Sequence, residues 1–206
     1  LVVIALSLLF ASPAEAHHMT GGRLPATQFE GFISGLAHPI IGLDHLFALV
    51  AIGMLCAWFA RGRLLAGTFA LSGLIGTGLH VMRLTIPRGE LIVAITVVVF
   101  GILVVAQSRH GAEKATMPAW LMPLVAVGGI FHGYAYGESI VGAQGGPLVA
   151  YLAGFTIIQL ATLLFVRYLT GMISGRSATA SGRLPAFVGG TLSLAGMALV
   201  ALVLRR

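Results

Sequence analysis

The chain predicts an all-α integral membrane protein, six transmembrane helices after a cleaved N-terminal signal peptide, on three observations. Of its 206 residues, 58% are hydrophobic and 9% charged, and the mean hydropathy is +1.00, a balance that a soluble domain of this length does not keep in solution. The apolar residues fall into six runs, 39–60, 64–86, 90–107, 118–138, 147–173 and 185–204, each long enough or nearly so to span a bilayer at about 1.5 Å per residue. The basic residues lie mostly between alternate runs, as the positive-inside rule requires.

Before the first run, Leu1 to Phe10 is apolar but too short to span, and Ala14 and Ala16 form the small-residue pattern that a signal peptidase reads. The expected division is a signal peptide at 1–16 and one transmembrane domain at 17–206, cleaved before His17. The mature chain then opens with His17 and His18, where an amine beside two imidazoles could collect a divalent cation.

A mature N-terminus outside places Arg61, Arg63, Arg109, Lys114, Arg176 and Arg183 on the cytoplasmic side, with Arg167 close to it. Arg205 and Arg206 then end outside, so both termini are expected in the periplasm of a bacterial inner membrane. Lys plus Arg exceed Asp plus Glu by 12 to 6, but the basic residues stand singly instead of forming a stripe, which argues against nucleic acid as a partner. The single cysteine, Cys56, excludes an intrachain disulfide and a thiolate cluster. Any metal must therefore be met by nitrogen and oxygen.

Those donors are concentrated. The first run opens with His38, Pro39, Gly42, Asp44 and His45, and from Pro39 to Ala60 the only ionisable groups besides Cys56 are Asp44 and His45. Carboxylates and imidazoles inside hydrocarbon are costly and mark function by default. Pro39 disfavours a helical conformation at His38, so a kink or helix start is expected there. Without that break, His38 and His45 would lie about 10 Å apart along one helix face and could not share an ion.

Counting along the other runs, His80 falls about two turns from the outer end of the second, Glu90 opens the third, and His132 and Glu138 close the fourth. Residues from four helices thus share the outer half of the membrane. Gly129, Gly133 and Gly137 recur every four residues beside His132 and give that helix a smooth face for close contact, and Gly42 is expected to do the same for the first. The six-residue His-to-acid spacing of His38 and Asp44 returns in His132 and Glu138, which points to an inverted three-plus-three repeat. His80, alone in a glycine-rich helix, reads equally well as a hydrogen-bonding residue, and Glu90 as a helix cap favoured by the dipole.

At these residues the chain resembles the HupE/UreJ family of bacterial nickel, and in some members cobalt, permeases. The match lies in Gly31-Phe32-x-x-Gly35-x-x-His38-Pro39-x-x-Gly42-x-Asp44-His45 and in Phe131-His132-Gly133-x-Ala135-x-Gly137 followed by an acid. The resemblance implies that His38, Asp44, His45, Glu90, His132 and Glu138 serve metal transport, with Ni²⁺ or Co²⁺ as transported substrate and no permanently bound cofactor. One departure is that Tyr134 and Tyr136 stand where many members carry histidines, and imidazole favours nickel and cobalt.

No Walker motif is present, so transport without ATP hydrolysis is expected. Two rival readings remain at this stage: an intramembrane zinc-dependent hydrolase with Glu138 activating water, and a membrane metal-sensing or accessory subunit. The expected partners are a divalent metal ion and the lipid bilayer, with the oligomeric state left open.

Overall fold

The structure is a computed structural model that describes residues 23–109, 115–176 and 178–206. The signal peptide, His17 and His18 lie outside the described residues. Among them are seven helices and no strand: α1 Gln28–Ile41, α2 Leu43–Trp58, α3 Gly62–Val81, α4 Gly89–Ser108, α5 Leu121–Gly137, α6 Gly145–Arg176 and α7 Ala178–Leu204. Each of the six apolar runs becomes helix, and the first is divided between α1 and α2.

Four of these are long and apolar enough to cross a membrane: α3, α4, Gly145–Ser174 of α6 and Gly182–Leu204 of α7. The pair α1 and α2, bent by 75°, meets the same test together as a broken span. Helix α5, at 17 residues, reaches about 25 Å at the standard rise. The outward faces carry Leu71, Ile75, Ile102, Val149, Phe165, Phe187 and Leu194, all exposed. Bare apolar side chains around closed backbone hydrogen bonding are what a lipid environment requires.

Helix α1 starts earlier than the first apolar run because Thr27 and Glu30 form a capping box. The break then falls at Gly42, not at His38, which corrects the expectation drawn from Pro39. His38 and Pro39 lie inside α1, and packing holds them there. Cβ atoms at Gly31 and Gly35 would run into the backbone of Pro147 and Tyr151 on α6, and one at Gly154 into the backbone of Phe32. That close seam outweighs the local bias of a residue before proline. Gly42 is extended, with φ −70° and ψ 107°, and a Cβ there would lie 2.7 Å from the His45 ring and 3.2 Å from an Asp44 oxygen. Gly42 therefore turns the chain where those side chains fold back, instead of smoothing a helix face.

The three most extensive helix pairings are α1 with α6, α3 with α5, and α4 with α7. Dividing the chain into a first half of α1/α2, α3 and α4 and a second half of α5, α6 and α7 shows their regularity. The first helix of each half packs on the second helix of the other, and the third packs on the third, so exchanging the halves leaves the pattern unchanged. This is the relationship expected of a three-plus-three repeat.

Candidate metal site

The polar residues gather where the two halves meet. His45 begins α2 and His132 lies one turn before the end of α5, and their Nδ1 atoms are 2.8 Å apart. The His38 ring lies 5.7 Å from that of His45, because the bend at Gly42 swings α2 back across the end of α1. All three imidazoles are buried. Asp44, half-buried, accepts the His45 backbone N–H at 2.9 Å, and the same oxygen lies 3.9 Å from His45 Nε2. The closing carbonyls of α1 bring the negative end of a helix dipole to this place, an arrangement that broken helices in transporters use for cations.

Close contact of α3 and α5 carries His132 to this depth. Cβ atoms at Gly129, Gly133 and Gly137 would meet Ser72, the Gly73 backbone and His80 respectively, as the four-residue glycine spacing suggests. Thr77 then bridges the crossing, its hydroxyl 2.7 Å from the Gly133 carbonyl.

The proton on His132 can be placed. Thr96 of α4 has its hydroxyl 2.7 Å from the Val93 carbonyl, which can only accept. The hydroxyl oxygen is therefore left to accept from His132 Nε2 at 2.9 Å. With Nε2 carrying the proton, His132 Nδ1 accepts the Nδ1–H of His45, a proton that an ion bound by both nitrogens has to displace. A ligand imidazole whose second nitrogen is held in this way is the usual outer-shell arrangement of metal sites. Thr96 was not legible in the sequence, since a threonine in an apolar run gives no sign of which helix face is its own.

Tyrosines complete the walls. The Tyr136 ring packs 4.2 Å from His45 and 5.2 Å from His38, measured between centroids. Tyr151 of α6 brings its hydroxyl to 3.3 Å from His38 Nδ1, and the Tyr136 carbonyl accepts from both Ser139 and Tyr151. Tyr134 faces elsewhere. Its hydroxyl donates to the Leu84 carbonyl at 2.8 Å and accepts the Ile86 N–H at 3.1 Å, pinning the turn between α3 and α4. Of the two phenols that depart from the histidine-rich pattern, only Tyr136 packs on His38 and His45.

The remaining candidates lie apart from this group. His80 stacks on Tyr134 and donates from Nδ1 to the Tyr134 carbonyl at 2.8 Å. Glu90 is exposed and 3.5 Å from Arg206. Glu138 is exposed just beyond α5. Among the described residues no three of His, Cys, Asp and Glu converge as a closed metal site.

The sequence model described as HupE / UreJ protein matches residues 4–199. The chain belongs to the HupE/UreJ family. It is similar to Protein HupE of Rhizobium leguminosarum bv. viciae, with 28% identity over 193 residues that cover 92% of each chain. No solved structure matches it. The histidines and glycines just described thus belong to a HupE/UreJ chain aligned along nearly its whole length.

Proposed function

We propose that this HupE/UreJ chain is a carrier, not a catalyst, that moves Ni²⁺ or Co²⁺ from the periplasm to the cytoplasm across the bacterial inner membrane without ATP. The observation that carries the reading is the 2.8 Å approach of His45 and His132. Two nitrogens each about 2.0–2.1 Å from one ion and at a right angle stand about 2.9 Å apart, the edge of a square-planar or octahedral site. His38 and Asp44 are next in reach, the first as a further nitrogen ligand and the second to offset charge. Imidazole discriminates against Mg²⁺ and Ca²⁺, which prefer oxygen.

The topology that suits this reading has six crossings, with the broken α1/α2 pair and the short α5 each counted as one and both termini periplasmic. Glu90, at the start of α4, and Glu138, at the end of α5, then stand at the outer surface and collect the ion. One imidazole comes from each half of the repeat, so rocking one half against the other opens the pair to either side. An inside-negative potential gives a doubly charged ion about 4.6 kcal/mol per 100 mV, over a thousandfold accumulation.

Uptake of ⁶³Ni and ⁵⁷Co into proteoliposomes tests this directly. The expected result is uptake that grows with an imposed inside-negative potential and disappears in Asp44→Asn. No uptake of either ion, with one zinc per chain retained through purification, would replace the carrier by the hydrolase reading. Stoichiometric binding of a cytoplasmic partner without uptake would favour an accessory subunit.

A further inference from the structure

Helix α6 presents one face to the histidines, and Tyr151, Phe155 and Gln159 follow one another along it at four-residue intervals. All three are fully buried. Tyr151 meets His38, and Phe155 packs on Tyr136 with ring centroids 5.4 Å apart. Gln159 comes one turn further, about 12 Å along the axis from Tyr151. Neither the oxygen nor the nitrogen of its amide has a hydrogen-bond partner among the described residues. An amide buried in hydrocarbon without a partner is destabilising, and such groups call for an explanation.

The amide also has a defined neighbourhood. A Cβ at Gly73 would lie 3.7 Å from both the Gln159 oxygen and nitrogen, and 3.7 Å from the Gly129 carbonyl. Gly73 is where α3 crosses α5 at Gly133, the residue after His132. Gln159 therefore reaches the same crossing that holds His132, on the side where Gly73 has no side chain. Beyond it come Leu163, fully buried, and Val166 against Gly53, before Arg167, whose Nε donates to the Cys56 carbonyl.

We infer that Gln159 is a second station for the divalent cation, its amide oxygen receiving the ion or one of its waters after the ion leaves His45 and His132 and before it passes the apolar segment at Leu163. The inference rests on the carrier reading and adds a ligand that the histidine motifs do not contain. A carbonyl oxygen suits a transit site: it is neutral and binds nickel and cobalt more weakly than imidazole, so the ion can move on. At Gly73 a Cβ would make only ordinary contact with the amide, so α3 does not crowd it there.

The experiment compares ⁶³Ni uptake into proteoliposomes with equilibrium Ni²⁺ binding in detergent for wild type, Gln159→Leu and Gln159→Glu. Gln159→Leu removes an unpartnered amide at similar volume, so it folds with a melting temperature no lower than wild type. It is expected to bind Ni²⁺ within twofold of wild type while the maximal uptake rate falls at least tenfold. Gln159→Glu restores an oxygen donor and is expected to bind a second Ni²⁺ equivalent. Uptake by Gln159→Leu at the wild-type rate would overturn the inference, as would parallel loss of binding and uptake, which would mean that Gln159 acts by shaping the histidine cluster. Failure of wild type to transport at all is a separate result, which overturns the carrier reading itself.

Discussion

His45 and His132 are separated by 87 residues and meet with their Nδ1 atoms 2.8 Å apart. One imidazole comes from each structural half, and each is delivered by a glycine. Gly42 lets α2 fold back over α1, and Gly133 lets α5 close on α3.

That geometry makes Gly42 a sensitive position. A methyl group at 2.7 Å from the His45 ring forces either the ring or the bend to move. Gly42→Ala is expected to lower Ni²⁺ uptake at least tenfold and to destabilise the fold by about 1–3 kcal/mol, the usual range for overpacking, as measured by denaturant titration in detergent.

At the second glycine the obstacle is backbone. A Cβ at Gly133 would collide with the Gly73 carbonyl, so Gly133→Ala should separate α3 from α5 and weaken Ni²⁺ binding more strongly than Gly190→Ala, whose Cβ would meet nothing within 4 Å. Equal binding by the two variants would mean that the crossing does not position His132.

Thr96 meets the candidate site through His132 Nε2. Thr96→Val removes the acceptor of the Nε2 proton and allows the other tautomer, with its proton on Nδ1. Ni²⁺ affinity is expected to fall about tenfold, at the lower end of the range for outer-shell partners, and Thr96→Ser should restore it. Titration calorimetry separates the three proteins. Failure of Ser to rescue would assign Thr96 a packing role.

Much of the fold could be read from the chain because hydropathy alone marks a membrane helix: all six runs became helical. Position along a helix was legible too, since rise per residue is fixed: the count put His45 and His132 at one level, and they meet, whereas it left His38 about 10 Å away, a gap that the bend at Gly42 closes. What a count along the axis cannot give is direction around it. Glu90 and Glu138, counted to the same region, are exposed, and Thr96 and Gln159 turn inward without any local signal. The position of the break was misread for a related reason. The bias before Pro39 is local, and it yields to the glycine seam between α1 and α6, which only the tertiary pairing creates.

Glu90 offers a contrast with the histidines. Its pairing with Arg206 is exposed and contributes less than about 1 kcal/mol, so Glu90→Gln should leave the unfolding midpoint almost unchanged. If it collects the ion at the outer surface, the same change raises the KM for uptake several-fold and leaves Ni²⁺ affinity in detergent as it was. A fall in affinity equal to that of His132→Ala would instead place Glu90 among the ligands.

The most direct measurement is X-ray absorption at the nickel edge of the purified, Ni²⁺-loaded protein, with His45→Ala and His132→Ala alongside wild type. Imidazole ligands have a distinct multiple-scattering pattern that can be counted. At least two imidazoles are expected on nickel in wild type, with one lost in each variant. A wild-type spectrum of oxygen ligands alone, or one that neither substitution changes, would contradict a site shared between the two halves at His45 and His132.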